Sequence, residues 1–233
     1  MTNLNGVQED GNNICFTANA DSTKILKNIT ACARPGELLA IMGSSGAGKT
    51  TFMNVLTQRN LQGLSISGEI SVNSVQVTSD NIYKLSGYIQ QDDVFIPALT
   101  VKEHLMFHAR MCLSTHSSKA RQIRVNEVAR RMELESCLAT KIGTPGVTKT
   151  LSGGGLKRVS IATEILNNPP VLFADEPTSG LDSYLALTVM NSLKQLASTG
   201  TTILCTIHQP NSEIFSTFGN LMLLTMVGNR IYL

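Results

Sequence analysis

Long apolar runs are missing from this chain of 233 residues. No window reaches the ~18 consecutive apolar residues of a membrane span, so no helix read from these residues crosses a bilayer. The first residues, Met1 to Asn13, are polar and lack the apolar centre of a secretory signal. Charge is scarce as well: 15% of residues are charged, against a usual ~25%, and the net charge is +2. So small an excess gives no argument for a nucleic-acid partner. The shortage of charge fits docking surfaces and fits a large core equally well. Cysteine pairs are also lacking. Cys15, Cys32, Cys112, Cys137 and Cys205 form no C-x-x-C motif and are odd in number. Neither a disulfide framework nor a zinc site follows, and a reducing cytosolic compartment is expected. There is no internal repeat and no low-complexity stretch.

What is present is a globular composition with 42% hydrophobic residues. The length fits one α/β domain, or one domain with a sizeable insertion, and suffices to bury most of the unfolded surface. Strand-like and helix-like segments alternate, which predicts an α/β fold with a largely parallel sheet. Strands are expected at Ile25–Ala33, Glu37–Met42, Glu69–Val75, Gly87–Gln90, Val171–Ala174, Thr201–Thr206, Leu221–Thr225 and Arg230–Leu233. The early and late ones are expected to form a separate antiparallel layer. From Asp92 to Leu166 the pattern turns helical, with helices at Val101–Cys112, Lys119–Met132 and after Leu151-Ser152-Gly153-Gly154. That stretch reads as a helical subdomain, 92–166, inserted between two core halves, 1–91 and 167–233.

Three segments carry chemistry. The first, Gly43-Ser44-Ser45-Gly46-Ala47-Gly48-Lys49-Thr50, matches the phosphate loop G-x-x-x-x-G-K-[ST]. It lies between a hydrophobic strand and an apolar-periodic helix, Thr50–Gln58, which is the context this motif needs. Its glycines let successive backbone N–H groups point at phosphate oxygens, and the helix N-terminus adds partial positive charge. Lys49 would reach the β- and γ-phosphates and the Thr50 hydroxyl would ligate Mg²⁺, with Thr51 next in the same nucleotide-binding group. The second segment, Val171-Leu172-Phe173-Ala174-Asp175-Glu176, is a buried strand ending in two acids, at the kind of tip where open α/β sheets bind ligands. Asp175 would hold Mg²⁺ and Glu176 would accept a proton from attacking water. The third, Leu151-Ser152-Gly153-Gly154, offers an N-cap and bare helix N–H groups, a second anion site. A domain that already holds one nucleotide has no need of it, which hints that two chains share each nucleotide.

Together with Ser179-Gly180-Leu181-Asp182 and Thr206-Ile207-His208, these segments stand in the order of an ABC ATPase, and the resemblance spans nearly the whole chain. Within that superfamily the chain resembles the G subfamily of eye-pigment, sterol and drug half-transporters. The resemblance rests on Gly36-Glu37-Leu38-Leu39-Ala40-Ile41-Met42, on Tyr88-Ile89-Gln90-Gln91-Asp92-Asp93 and on Asp175-Glu176-Pro177-Thr178-Ser179-Gly180-Leu181-Asp182-Ser183. It implies a RecA-like phosphate-loop NTPase core with an antiparallel layer and an inserted helical subdomain. ATP and Mg²⁺ are the implied cofactors. Gln91 would be the Q-loop glutamine that senses Mg²⁺ and water, with Gln90 one residue off in register. His208 would be the switch histidine at the γ-phosphate, and Asp182 the D-loop aspartate at the interface with a second ATPase domain, identical or different. The family places membrane helices after the ATPase, so a transmembrane domain is expected beyond Leu233, with the ATPase on the cytoplasmic side. The cargo implied is lipid-like or a small organic molecule.

The chain departs from the family at two places. The fifth signature position, usually Gln or Glu, is Gly155, which predicts a weakened signature. Ala18 stands where many members stack an aromatic on adenine, and Phe16 is two residues away on the same strand face. Two other readings remain open: a degenerate or regulatory subunit with weak ATPase, and a soluble ABC ATPase. His104 and His108, spaced i, i+4 beside Glu103, imitate a metal pair, but the order is not H-E-x-x-H and a helix face is expected.

Overall fold

The computed structural model describes residues 14–21, 26–143, 151–225 and 230–232. In chain order the elements are β1 (Ile14–Asp21), β2 (Leu26–Ala33), β3 (Leu38–Gly43), α1 (Lys49–Thr57), β4 (Ser65–Val72), β5 (Val75–Gln76), α2 (Ser79–Leu85) and β6 (Ser86–Ile89). Then follow α3 (Val101–Cys112), α4 (Ser118–Arg131), α5 (Gly153–Ile165), β7 (Val171–Asp175), α6 (Ser183–Ala197), β8 (Thr202–Ile207), α7 (Ser212–Phe215), β9 (Asn220–Leu224) and β10 (Arg230–Tyr232). Ile25 and Leu233, at the ends of two expected strands, lie outside the described residues.

The main sheet has six strands in the order β10-β9-β3-β8-β7-β6. All its pairings are parallel except β10 with β9. A sheet covered on both faces needs apolar side chains in both directions, and β3, β7 and β8 supply them. Leu39, Ile41, Phe173 and Leu204 point into one core, built with Phe52, Met53 and Leu56 of α1 and with Leu26 and Ile29 of β2. Their strand neighbours Leu38, Ala40, Leu172, Ala174, Ile203 and Cys205 point into the other, built with α3, α4, α5 and α6. Strand alternation thus makes three layers from one sheet.

The second sheet is antiparallel, in the order β2-β1-β4-β5. The expected antiparallel layer exists, but only the early strands build it. The late strands join the main sheet, β9 parallel to β3 and β10 on its outer edge. The reason is burial: Leu221, Met222 and Leu224 fill the flank of β3. Strand β1 was not among the expected strands, and β4 starts four residues before the expected Glu69. Cys32 on β2 is disulfide-bonded, and the residue opposite it in the register is Cys15. The odd number and scattered spacing of the cysteines gave no sign of a disulfide at Cys32.

Helix ends follow local chemistry. Thr100 and Glu103 form a reciprocal capping box that opens α3. Ser117 caps α4, Ser152 caps α5 and Asp182 caps α6 through side-chain oxygens. Helices α3, α4 and α5 contact one another, and α5 also contacts β6 and α6.

Candidate functional site

Parallel pairing brings three strand tips together. In the register Met42 of β3 faces Ile207 of β8, and Thr206 of β8 faces Asp175 of β7. The segments that leave these tips are the phosphate loop, Glu176 and His208. They line one cleft of about 720 Å³ with Ser45, Gly46, Gly48, Lys49, Thr50, Thr51, Thr178, Ser179 and Gly180.

The loop from Gly43 to Gly48 curls because Gly46 and Gly48 take positive φ, 79° and 89°. Helix α1 starts at Lys49 without a side-chain cap. Its first N–H groups therefore have no intrahelical partner and face the cleft, beside the positive end of the helix. The Lys49 ammonium is 6% exposed and donates to the carbonyls of Gly43 and Ser44, at 3.0 and 3.4 Å. It lies 3.9 Å from Glu176 Oε1. Ala47, placed in this group by the sequence, turns its side chain into the core, and the Ser44 carbonyl accepts from its N–H.

The two acids differ. Asp175 is 4% exposed, with its carboxylate held on both oxygens. Thr206 Oγ1 donates to Oδ1 at 2.6 Å and the Tyr88 hydroxyl donates to Oδ2 at 3.3 Å. Burial, and then the charge of Asp175, push the Tyr88 phenol upward, so it stays a donor. Glu176 is half-buried and has φ 44°, a left-handed conformation that turns the chain off the strand. Its Oε2 accepts from Gln91 Nε2 at 3.2 Å, and both Gln90 and Gln91 are exposed. Of the two glutamines, the structure sets Gln91 against the acid.

The signature segment lies off this cleft. Gly153 lines a neighbouring cavity of about 350 Å³ with Gln91, Asp93, Lys157, Ser179, Gly180 and Leu181. Its glycines serve close approach: a Cβ on Gly153 would meet Leu181 Cδ2 at 2.9 Å, and one on Gly154 would meet Leu185 Cδ2 at 3.0 Å. Asp182 stands at the head of α6, where its Oδ1 accepts from the Leu185 N–H at 2.9 Å. Lys157, one turn into α5, is 3% exposed and donates to Gln90 O, Gln91 O and Asp93 Oδ1 at 3.1, 3.0 and 2.9 Å. It ties the signature helix to the segment that carries Gln91.

Sequence reasoning missed Thr206, Tyr88 and Lys157 as neighbours of the site. A threonine within the apolar strand 202–207 was the available signal for the first. The side chain of Phe16 lies outside the described ones. His104 Nε2 lies 3.2 Å from Thr163 Oγ1, and its ring lies tilted against His108, centroids 4.5 Å apart, and edge-on to Phe95. Burial, and then His108, push His104 down to about 4.

Thr50 offers a hydroxyl at the cleft and Asp175 a buried carboxylate at the tip of β7, hard oxygen donors that suit Mg²⁺. The phosphate loop and Lys49 suit a polyphosphate. The family described as ABC transporter matches residues 26–179. Over 203 residues the chain is 46% identical to the ABC transporter ATP-binding protein/permease wht-3 of Caenorhabditis elegans, covering 87% of this chain and 32% of that protein. It is 46% identical to the protein white of Drosophila melanogaster, covering 86% and 30% of the two. ABC transporter G family member 41 of Oryza sativa subsp. japonica is 44% identical over 90% of this chain and 14% of its own length. The chain thus spans about a third of the length of the first two of these relatives.

Proposed function

The chain belongs to the ABC transporter family, among its G members, and from that membership we propose that it is the ATP-hydrolysing motor of a half-transporter. One observation carries the reading. The Glu176 carboxylate stands between the Lys49 ammonium and the Gln91 amide, at 3.9 and 3.2 Å, in a cleft that also holds the phosphate loop and His208. A general base beside the γ-phosphate cation is the arrangement that hydrolysis of a nucleoside triphosphate requires.

The loop N–H groups and Lys49 bind the triphosphate and neutralise its charge. Gln91 and Glu176 orient a water, and Glu176 takes its proton as the water oxygen attacks the γ-phosphorus; the bond from that phosphorus to the β,γ-bridging oxygen breaks, leaving ADP and inorganic phosphate. His208, at the cleft rim, donates toward the departing γ-phosphate. Thr50 and Asp175, with Gln91 near, would hold Mg²⁺, which when bound would offset the negative charge of the phosphates.

The signature Ser152-Gly153-Gly154 serves the nucleotide of a second ATPase domain, identical or different, with Asp182 at that interface. Its position off the phosphate cleft of its own chain supports this. Residues 92–166 act as the helical subdomain between core parts 1–91 and 167–233. A transmembrane domain C-terminal to Leu233 would be driven by closure of the two motors on the cytoplasmic side. Export of a lipid-like or small organic cargo is the transport reading. Gly155 favours a second reading, a regulatory subunit with weak ATPase.

The deciding experiment is Mg²⁺-dependent ATPase of the full-length protein in lipid vesicles, beside Glu176→Gln. Hydrolysis in the wild type, slowed ~10² to 10⁴-fold in the variant, is expected for loss of a positioned base. Equal rates in the two would remove Glu176 from the mechanism. Negligible wild-type turnover with intact ATP binding would favour the regulatory reading.

A further inference from the structure

We propose that Thr206 is a positioning residue for both acids of the site, setting the carboxylate of Asp175 and the backbone that carries Glu176. The inference rests on the hydrolytic reading above and adds to it a residue outside the phosphate cleft.

Thr206 lies on β8, the strand between the phosphate-loop strand β3 and the acid strand β7, and is wholly buried. Its hydroxyl makes two contacts. It donates to Asp175 Oδ1 at 2.6 Å, and it accepts from the Glu176 backbone N–H at 2.8 Å. The directions are dictated by chemistry. A hydroxyl has one proton, a carboxylate is an acceptor and an amide N–H is a donor, so one hydroxyl can serve both acids only in this way.

Neither contact is replaceable by its surroundings. Glu176, at φ 44°, has left the extended conformation of β7. Its N–H is donated to the Thr206 hydroxyl just where the chain turns off the strand. That left-handed turn sends the Glu176 side chain back toward Lys49 and Gln91. Asp175 keeps a longer second contact, the Tyr88 hydroxyl on Oδ2 at 3.3 Å. Without Thr206 the carboxylate would be tethered on that oxygen alone. A buried hydroxyl that satisfies a strained backbone and orients a metal-type carboxylate does the work of an outer partner at a reactive centre.

The consequence separates chemistry from binding. The loop N–H groups and Lys49 hold the triphosphate without Thr206. Its loss should therefore act on kcat and on the response to Mg²⁺, and little on nucleotide affinity.

The test uses the full-length protein in lipid vesicles as wild type, Thr206→Val and Thr206→Ser. Val keeps the shape and removes the hydroxyl; Ser keeps the hydroxyl and removes the methyl. The readouts are kcat, KM for ATP, the half-activating Mg²⁺ concentration, ATP affinity with and without Mg²⁺, and the thermal midpoint. Thr206→Val should lose ~10 to 100-fold in kcat and need more Mg²⁺, with KM within about threefold, while Thr206→Ser recovers most of the rate. Thr206→Ala replaces Thr206→Val if the latter does not fold. Unchanged kcat in a folded Thr206→Val, or a Thr206→Ser as slow as Thr206→Val, overturns the proposal. If the wild type itself does not hydrolyse ATP, the hydrolytic reading has failed on its own. The Asp175 half is then read from the gain in ATP affinity that Mg²⁺ confers. That gain should be lost in Thr206→Val and kept in Thr206→Ser; a gain equal in all three, or absent from all three, overturns it.

Discussion

Lys49 is the residue on which the phosphate chemistry turns. Its ammonium is buried, with loop carbonyls and Glu176 around it. A charge-assisted hydrogen bond contributes about 1.5–3 kcal/mol, so Lys49→Ala should weaken ATP binding by roughly 10 to 100-fold. Titration with a fluorescent ATP analogue measures this; an affinity within about threefold of wild type contradicts the phosphate-loop assignment. His104 makes a pH prediction. Its folded value is about 4, below the ordinary 6.5, and His108 is also lowered by burial. The folded state binds fewer protons here than the unfolded chain. Stability should therefore fall as pH drops below the unfolded value, down to about 4. Glu164 is raised by burial and acts in the opposite sense above the ordinary carboxylate range. Comparing His104→Gln with wild type isolates the histidine: its thermal midpoint should decline less between pH 7 and pH 5 (about the window set by an unperturbed histidine). Parallel declines would mean that His104 titrates normally.

Helix α5 shows how an element can be complete at one end and lacking in one contact. Ser152 caps it, accepting from the Gly155 N–H at 3.1 Å. Gly155 occupies the third helical position, where a Gln or Glu would reach back to the Ser152 N–H and close a capping box like that of Thr100 and Glu103. Gly155→Gln should complete the box and remove a helical glycine, together about 0.5–1.5 kcal/mol. Against this, a Cβ there would meet Ser152 Oγ at 3.3 Å and Leu151 Cβ at 3.4 Å, so both must give slightly. The expected outcome is a higher thermal midpoint and higher ATPase activity. A lower midpoint with lower activity would mean that the crowding prevails. Lys157, further along α5, donates to the carbonyl of Gln91, whose amide in turn donates to Glu176.

At the scale of the molecule, two cores on opposite faces of one sheet hold the strand tips in register, and the cleft forms where they end. The signature cavity adjoins that cleft across Ser179 and Gly180, and Gly153 lines the former but not the latter. Two chains arranged head to tail would give each phosphate loop a signature. Glu176→Gln in the full-length protein should then trap ATP between paired motors. Cross-linking or sizing with ATP and Mg²⁺ should show more of the closed pair than with ADP. If ATP leaves the closed fraction of this variant unaltered, the shared-nucleotide arrangement is wrong. No helix among the described residues is long and apolar enough to cross a membrane.

The phosphate loop and the acid-tipped strand were legible in the sequence because their chemistry is contiguous. Gly46, Gly48 and Lys49 make their own turn, and Val171–Asp175 makes its own buried strand. The caps Ser152 and Asp182 are local in the same sense. Helix α3 was legible to the residue, since Thr100 and Glu103 close its start within one turn. Strand order was not. That β9 flanks β3, and that Gln91 and not Gln90 meets Glu176, depends on which distant strands pair and in what register. The bridge from Thr206 to both acids is of the same kind. It exists because β8 lies beside β7 with Thr206 opposite Asp175, and pairing between segments so far apart is decided by burial of whole faces, which no local pattern encodes.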